Sequence, residues 1–428
     1  MESIQAETEL KETEIGLMPV DWVAIRLRDY IDLETGKRMK GGALLQGEVP
    51  SIGGEHIDEW GRINWKDMKF ISSDFYDTLK QGKVKVNDVL IVKDGALTGK
   101  VAIARRPLPE KCAVNEHVFI VRCKRTDRIL SEFLFFYLFS SMGQKQIRVN
   151  FHGLIGGIKR EDILAIRVPL PSLHEQQKIA FVLSKIQQAI QQQDKIIEAT
   201  KNLKKSLMQK LFTEGTRGEE QKETEIGLIP KSWDVTELGN VAIQRKELVL
   251  PRGHNDVPYI GLEHIDPWNV NITRFGGSDE VKSSKYKFYK NDILYGKLRP
   301  YLDKAALASF GGLCSTDIIV IKTSERITPL FLVNLLHLRR FVNYATSTMT
   351  GVNHPRTSWT ALSKFKLPLP PLHEQQEIAN TLSLIDRKIE IEEKREITLQ
   401  QLFKTMLNKL MTGEIRVKDL DLGVINVS

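Results

Sequence analysis

The sequence predicts an α+β protein in which two similar globular domains are separated by two long antiparallel coiled-coil helices, as a tandem repeat with pseudo-twofold symmetry. Two internal matches and a heptad pattern predict this fold. Pro169–Phe212 opens PLPSLHEQQKIA, and Pro368–Met411 opens PLPPLHEQQEIA. Lys11–Trp22 (KETEIGLMPVDW) matches Lys222–Trp233 (KETEIGLIPKSW). A chain that repeats both the entry and the exit of a unit carries an internal duplication.

Length and composition set the class of protein. The chain has 428 residues, of which 41% are hydrophobic, which predicts two or more domains with ordinary cores. We expect a cytoplasmic protein without a membrane segment, because no apolar run reaches the ~18 residues of a membrane helix and the first residues are polar. The three cysteines form no CxxC pair. The net charge of +8 is compatible with a polyanionic partner.

Each copy opens with Ile-Gly-Leu-x-Pro, which is typical of a turn that leads into a first strand. β-rich runs bounded by Gly, Asn and Asp predict strands, and two apolar runs predict helices packed on them. The predicted strands include Val89–Val92, Val118–Arg122, Asp292–Tyr295 and Ile318–Ile321, and the predicted helices are Phe133–Leu138 and Leu330–Leu338.

Short matches inside the globular blocks indicate that they share a fold. Ile52–Asp58 (IGGEHID) matches Ile260–Asp266 (IGLEHID), and Cys112 aligns with Cys314. Elsewhere the similarity is patchy. The frame of the two blocks has therefore remained alike while other parts of them have diverged.

Prolines mark where the long helices begin, because Pro-Leu-Pro disfavours helix before it and permits helix after it. Ser172 and Glu175 have the form of a capping box, whereas Pro371 stands in the position of Ser172 in the second copy. Apolar residues then recur with alternating spacings of four and three, as in a coiled-coil seam with polar layers at mid-length. The first seam includes Ile179, Leu183, Ile186, Ile190, Ile197, Leu207 and Leu211; the second includes Ile378, Leu382, Ile385, Ile389, Leu399, Phe403, Met406 and Leu410.

These signals divide the chain into five parts. They are residues 1–168 (N-terminal segment and first globular domain), 169–215 (first helix), 216–367 (second globular domain), 368–414 (second helix) and 415–428 (C-terminal tail).

Sequence motifs of catalysis are missing. No NPPY or GxGxxG motif occurs, and Gly95–Lys100 has three residues between its glycines where a P-loop has four. His174-Glu175 and His373-Glu374 lack the second histidine of HExxH, so packing at the helix start is the favoured interpretation. We therefore expect no catalytic residues, no metal site and no bound cofactor.

Two similar blocks held apart by rigid helices suit duplex DNA, whose turn is ~34 Å. Basic residues interleaved with aromatics support this interpretation in Val281–Ala305, and basic residues are also enriched in Gln81–Lys111. Lysines would neutralise phosphates, while Arg, Asn and His in loops could contact base edges. A solvated lysine-rich face around an aromatic core is the alternative.

Glycine-rich polar loops precede the end of each block, at Asn150–Arg160 and Thr348–Arg356, where glycine allows close approach of the backbone to a ligand. An ordinary strand–helix connection is the alternative. From charge and loop position, the predicted DNA-binding residues are Lys93, Lys100, Asn115, His117, Asn150, His152, Lys159, Arg160, Lys297, Arg299, Tyr301, Thr316, Asn353, His354 and Arg356.

Blocks entered by IGxxPxxW and closed by PLPxLHEQQxIA before a long helix resemble the specificity subunit of type I restriction–modification systems. The resemblance covers Lys11 to about Gly413. It implies that Val23–Val168 and Asp234–Leu367 are target-recognition domains, each reading one half of a bipartite site in double-stranded DNA. The helices would be spacers whose outer faces dock modification (methyltransferase) subunits.

The resemblance also implies which chemistry belongs to partners. Two modification subunits would bind S-adenosylmethionine, and a restriction subunit would supply the translocase and nuclease activity with ATP. The specificity subunit itself would be non-catalytic and would hold no cofactor.

Two functions of other classes stay open at this point. One is a stand-alone DNA nuclease that uses Asp266, Glu280 and Lys282, of which the last two form an ExK. The other is a coiled-coil scaffold that joins proteins and ignores DNA.

Overall fold

The computed structural model describes residues 9–149, 151, 157–251 and 257–420, except for the side chain of Glu280. The chain divides into two compact units, Met1–Asp194 with Lys394–Ser428 (unit 1) and Lys195–Glu393 (unit 2). Each unit combines strands with helices, so the predicted α+β class and the tandem repetition of similar domains are confirmed.

Short strands and short helices build the globular part of unit 1. The strands are β1 (Leu10–Thr13), β2 (Gly16–Pro19), β3 (Val23–Arg26), β4 (Ile31–Thr35), β5 (Val49–Ile52), β6 (Lys69–Ile71), β7 (Val89–Val92), β8 (Val101–Ile103), β9 (Ala113–Val114), β10 (Val118–Cys123) and β11 (Arg167–Leu170). The helices are α1 (Ser73–Thr78), α2 (Ser131–Phe139), α3 (Ser141–Val149) and α4 (Arg160–Ala165). The first long helix, α5 (Leu173–Glu214), begins in unit 1 and ends in unit 2.

Unit 2 repeats this order with local differences. Its strands are β12 (Gln221–Thr224), β13 (Gly227–Pro230), β14 (Asp234–Glu237), β15 (Ala242–Arg245), β16 (Leu248–Val249), β17 (Pro258–Ile260), β18 (Gly276–Gly277), β19 (Lys285–Phe288), β20 (Ile293–Gly296), β21 (Ala305–Leu307), β22 (Gly312–Cys314), β23 (Ile318–Thr323) and β24 (Lys366–Leu369). Its helices are α6 (Leu238–Val241), α7 (Pro329–Leu336), α8 (Arg339–Ser347) and α9 (Trp359–Leu362). The second long helix, α10 (Leu372–Thr412), ends in unit 1.

Both units contain a four-stranded antiparallel sheet with the same connectivity. The strand order is β4-β10-β7-β8 in unit 1 and β15-β23-β20-β21 in unit 2. Every residue of β7 is buried, which explains why this strand reads as a continuous apolar run rather than an alternating one. The apolar helix α2 packs in the same hydrophobic core.

A second sheet in each unit contains one parallel pair, β5 with β9 and β17 with β22. In unit 1 this sheet has the order β6-β5-β9, and in unit 2 it has the order β16-β19-β22-β17-β18. In unit 2 the strand β19 pairs with β22. At the corresponding side of β9, unit 1 has a bridge between Lys83 and Ala113. The copies therefore share a frame and differ at this sheet.

The repeated entry segment forms a hairpin rather than only a turn. Strand β1 pairs with β2, and β12 pairs with β13, in the same register. Gly16 and Gly227 occupy the turns at φ of 103° and 100°, a region that L-residues rarely adopt. The glycine of Ile-Gly-Leu-x-Pro is thereby explained, while the two-stranded hairpin was missed in the sequence.

The first glutamine of HEQQ anchors each long helix to its own unit. The Gln176 side chain donates to the carbonyls of Arg128 (2.8 Å) and Pro171 (3.0 Å), and its Oε1 accepts from the Leu130 amide at 2.9 Å. Gln375 makes the equivalent three bonds in unit 2. Three otherwise unpaired backbone groups are satisfied by one buried amide, which accounts for the repetition of this residue.

The predicted capping box is half correct. The hydroxyl of Ser172 accepts from the Glu175 amide at 3.3 Å, as predicted. The Glu175 carboxylate does not bond back to the helix start, because it accepts from Trp22 Nε1 at 3.1 Å and from Arg416. In unit 2 the Glu374 carboxylate likewise accepts from Trp233 Nε1, at 2.8 Å. The glutamate of the motif therefore links the long helix to the tryptophan of the entry segment.

Within each unit, segments of the two long helices share a core. In unit 1, Ile179 and Leu183 of α5 are buried in the same cluster as Phe403 and Leu410 of α10. In unit 2, Leu211 of α5 joins the cluster that contains the beginning of α10. In each unit an early segment of one helix meets a late segment of the other, so the segments run antiparallel.

Candidate nucleic-acid interface

Three loops of unit 1 are joined edge to edge by backbone hydrogen bonds. They are residues 93–100 between β7 and β8, residues 115–117 between β9 and β10, and residues 157–160 at the start of α4. The Lys93 amide donates to the His117 carbonyl at 2.9 Å, and the Ile158 amide donates to the Lys93 carbonyl at 2.7 Å. Predicted DNA-binding residues from distant parts of the sequence thus meet on one three-loop edge.

Unit 2 builds the same edge from residues 297–304, 315–317 and 350–358. The Lys297 amide donates to the Asp317 carbonyl at 2.9 Å, and the Thr357 amide donates to the Lys297 carbonyl at 3.0 Å. These bonds place Lys297 in the position of Lys93 and Asp317 in the position of His117. The backbone frame is repeated with its lysine kept, and His117 of unit 1 is replaced by Asp317 in unit 2.

In unit 1 the predicted basic residues have distinct surroundings. The Lys93 ammonium lies 5.6 Å from the centroid of the Phe119 ring. Lys100 donates to the Ile57 carbonyl at 3.0 Å, and Arg160 donates to the Leu33 carbonyl, so both side chains are held by the fold. Lys159 is exposed at the start of α4, where its amide donates to Asp162 at 2.8 Å. The predicted residues Asn150 and His152 lie outside the described residues.

Asn115 and His117 present polar groups beside acidic ones. Asn115 Oδ1 accepts from the His117 amide at 3.0 Å. The His117 ring contacts Asp94 and lies 3.5 Å from Glu116. The wall of an adjacent cavity of about 280 Å³ includes Asn115, His117, Lys37, Arg38 and Lys69. Polar groups of both signs line this cavity, as a surface that hydrogen-bonds base edges requires.

In unit 2 the predicted residues Arg299, Tyr301, Thr316, Asn353 and His354 are exposed. Arg299 has φ of 50° and donates its amide to the Pro355 carbonyl at 2.9 Å. The Tyr301 side chain follows in a short 3-10 turn and is 49% exposed. The loop that carries Asn353 and His354 is therefore fastened to the loop that carries Arg299 and Tyr301.

Arg356, the remaining predicted residue, forms an ion pair with Asp317. Arg356 Nε donates to Asp317 Oδ1 at 2.8 Å, and Nη2 donates to Oδ2 at 3.3 Å. The Arg356 hydrogen bond and charge hold the pKa of the Asp317 carboxyl below its ordinary value. The pair is partly exposed, with 39% of the arginine side chain accessible.

Sequence reasoning missed three residues of this edge. Lys304 is the counterpart of Lys100 and donates to the Leu262 carbonyl at 2.6 Å. Val86–Leu90 (VNDVL) also matches Lys290–Leu294 (KNDIL), and extending this match aligns the two lysines. Asp317 orients Arg356, and Val352 is 97% exposed at the tip of its loop. No sequence signal pairs Asp317 with Arg356, since they meet only through the fold.

The basic residues of the stretch 281–305 do not all face solvent. Lys285 is buried, and its ammonium donates to the Ser283 carbonyl at 2.9 Å. Burial lowers the pKa of Lys285. Lys287 forms an ion pair with Glu247 at 3.4 Å. Strand β19 is buried at both of its ends, so part of this stretch lies inside the fold.

Asp266 of the nuclease alternative is engaged in an ion pair, and the cysteines are buried. Asp266 accepts from Arg274 at 2.5 Å. Cys112 and Cys314 are buried, and burial raises the pKa of the Cys112 thiol to about 12. Among the described residues, no group of three or more His, Cys, Asp or Glu side chains could hold a metal ion. None of the helices in the described part of the chain has the length and apolarity needed to cross a membrane.

Comparison with known proteins identifies the family. The family model of the type I restriction modification DNA specificity domain matches residues 19–201 and 230–401. The MjaVIII specificity subunit of a type I restriction enzyme from Methanocaldococcus jannaschii is 27% identical, over 97% of this chain and 98% of its own length. The EcoDI specificity subunit from Escherichia coli is 26% identical, over 94% of this chain and 90% of its own length.

Solved structures agree in fold. The S subunit of a type I restriction–modification system from M. genitalium superposes with a TM-score of 0.58 at 16% identity, over 94% of this chain and 98% of that chain. A chain from a study of type I R-M complex assembly gives a TM-score of 0.55 at 17% identity, over 93% and 99% of the two chains. Since the family model covers most of the sequence in two repeats, the chain belongs to the type I restriction–modification DNA specificity family.

Proposed function

We propose that this chain is the non-catalytic subunit that gives a type I restriction–modification enzyme its DNA sequence specificity. Each three-loop edge contacts one half of a bipartite site in double-stranded DNA. The observation that carries the proposal is the repetition of one loop frame in which the lysine is kept, as Lys93 and Lys297, and its partner changes from His117 to Asp317. The same frame docks on similar DNA geometry, while different side chains read different bases.

The long helices α5 and α10 act as the spacer between the half-sites in this proposal. Their polar outer faces dock two modification subunits, which bind S-adenosylmethionine, and a restriction subunit joins the assembly and uses ATP. Polar residues such as Gln188 and Gln191 are exposed on α5 and supply such a face. The specificity chain contributes positioning and no chemical step.

Co-expression with the modification subunits tests the proposal. The purified complex is expected to methylate adenine at one split sequence, and the chain alone is expected to transfer no methyl group. The positions of methylated bases in a sequenced genome give the site directly. Methylation without any sequence preference would contradict the proposal.

The family membership favours this function over the other two. A stand-alone nuclease using Asp266 would cleave mixed DNA with Mg²⁺ in the absence of partners, and incubation of the lone chain measures this. A scaffold that ignores DNA would show no affinity for duplex. The proposed function predicts DNA binding of the assembled complex that weakens steeply as salt rises, because phosphate contacts release counterions.

A further inference from the structure

The ion pair on the edge of unit 2 leaves a defined part of the arginine available. The Arg356 guanidinium has five N–H groups. Two of them, on Nε and Nη2, donate to Asp317, and Nη1 donates to the His354 carbonyl at 3.1 Å. These bonds leave one N–H on each terminal nitrogen among the contacts of the described residues. Donors on both terminal nitrogens can match O6 and N7 of guanine, the two adjacent acceptors that an arginine contacts in the major groove.

We propose that Arg356 reads a guanine in the half-site of unit 2 and that Asp317 positions it for this contact. This inference rests on the proposed function. An unrestrained arginine loses side-chain entropy when it binds, whereas a guanidinium already fixed by a carboxylate has lost part of it beforehand. The chemical class recognised is a G·C base pair.

The backbone around Arg356 supports a fixed presentation. The amide of Arg356 donates to the Thr350 carbonyl at 3.0 Å, and the Thr350 amide donates back at 2.9 Å, which closes the loop as a small hairpin. At the base of the loop, the Thr348 and Thr357 hydroxyls are 2.7 Å apart. The side chain therefore projects from a loop that is held at both ends.

A second carboxylate–guanidinium pair in unit 2 shows what a structural pair looks like. Arg245 donates to Asp292 through Nε at 2.9 Å and Nη2 at 3.2 Å. Asp292 is 4% exposed, and its carboxylate also accepts from the Tyr289 amide at 2.9 Å. The Asp317 carboxylate is 28% exposed and belongs to the three-loop edge, whereas Asp292 lies in the turn between β19 and β20. The two pairs share their chemistry and differ in position.

The equivalent positions of unit 1 carry no such fork. The matching backbone bonds place His117 at the position of Asp317 and Gly157 at that of Arg356. The arginine–guanine contact therefore belongs to one half of the site, and the two halves are read by different chemistry.

The test compares methylation sites of complexes with the parent chain, Arg356→Ala and Asp317→Asn. Arg356→Ala is expected to lower discrimination for guanine at a single position of one half-site by roughly 5- to 150-fold, the range of a bidentate contact. Asp317→Asn is expected to relax the same position to a smaller extent, because the guanidinium loses one of its two carboxylate oxygens. The other half-site is expected to stay unchanged in both variants.

Arg274→Ala is the matched control, since it removes a guanidinium from another exposed carboxylate pair of unit 2 without touching the edge loops. Its methylation site is expected to equal that of the parent. A parent site without a G·C pair in either half, or an Arg356→Ala complex that methylates the parent site more weakly at all positions alike, as loss of a phosphate contact would give, overturns the inference. Both results leave the proposed function standing, whereas a parent complex without sequence preference removes that function itself.

Discussion

His56 and His264 close the same 3-10 turn in the two units through the same ring atom. The Gly53 amide donates to His56 Nδ1 at 2.9 Å, and the Gly261 amide donates to His264 Nδ1 at 2.9 Å. A ring nitrogen that accepts a hydrogen bond must be unprotonated. The repeated sequence IGxEHID therefore places an accepting ring nitrogen at this turn in both units.

The stability of unit 1 is expected to depend on the protonation of His56. Burial lowers the pKa of His56, so the folded state binds its proton at lower pH than the unfolded state. The contribution is fully present above the unfolded pKa of about 6.5 and declines as pH falls toward the folded pKa. We expect urea unfolding between pH 7.5 and 5 to show a loss on the order of 1 kcal/mol from this group.

His56→Asn separates the titration from the hydrogen bond. The asparagine Oδ1 can accept from the Gly53 amide as Nδ1 does, but it does not titrate in this range. The variant is expected to fold and to show a shallower decline of unfolding free energy toward pH 5. An unchanged slope would assign the pH dependence to other groups.

At the scale of elements, Glu175 and Glu374 occupy the same position in the two PLPxLHEQQ segments. Their side chains nevertheless have different hydrogen-bond partners. Glu175 is buried and accepts from Trp22 and from Arg416, whose guanidinium also contacts Asp21. Glu374 accepts from Trp233 and from the Thr216 amide at 2.8 Å, and among its described contacts it meets no arginine.

Glu175→Gln is expected to cost more stability than Glu374→Gln. Removal of the Glu175 charge leaves Arg416, which is 12% exposed, with a weaker set of partners and is expected to cost about 3 kcal/mol or more. Glu374→Gln keeps one acceptor oxygen, removes one charge-assisted hydrogen bond and leaves no buried arginine without its partner, so it is expected to cost about 1.5–3 kcal/mol. Urea unfolding of both variants measures the order, and the reverse order would contradict this account of the two anchors.

A lysine occupies a seam position of α5 that the heptad pattern assigns to an apolar residue. The Lys204 side chain is 2% exposed, and its Nζ lies 2.6 Å from Oδ1 of Asp386 in α10. The same Nζ lies 4.7 Å from the centroid of the Trp268 ring. Lys204→Met is expected to cost about 3–5 kcal/mol, because it leaves Asp386 as an unpaired, nearly buried carboxylate.

The double variant Lys204→Met with Asp386→Leu is the control for this pair. Replacing both charges by apolar side chains is expected to recover most of the loss, as buried ion pairs are often replaceable without cost. Thermal unfolding of the single and double variants distinguishes the cases. A double variant as unstable as the single one would show that Lys204 acts through packing against Trp268 instead of through its charge.

Local patterns in the sequence were sufficient to predict helices and strands, but they did not predict how the loops of the three-loop edges are joined. Pro-Leu-Pro and Ser172 gave the start of α5, because capping and proline effects act within a turn of helix. The run at Val89–Val92 gave a buried strand for the same local reason. The joining of Lys93 to His117 and Ile158 depends on bonds between residues far apart in sequence, and so does the pairing of Arg356 with Asp317.

At the scale of the whole molecule, the duplication gives each unit its own entry hairpin, sheet frame and three-loop edge, while both long helices contribute to both units. Changes within one edge therefore leave the other edge unaltered. Changes in the paired helices act on both units together. In the proposed function, recognition and spacing are in this way assigned to separate parts of the chain.

If α5 and α10 set the spacing between half-sites, lengthening both helices by one heptad changes only the gap. Seven residues inserted after Asp194 in α5 and after Glu393 in α10 keep the seam in phase and add about 10.5 Å of helix. At 3.4 Å per base pair, the unread gap of the methylated site is expected to grow by at least one and at most about three base pairs, with both half-sites unchanged. Insertion into α5 alone is the control, since it leaves the seam without a partner and is expected to abolish methylation. An unchanged gap in the doubly lengthened chain would refute the spacer role, because the longer helices would then not have changed the distance between the two half-sites.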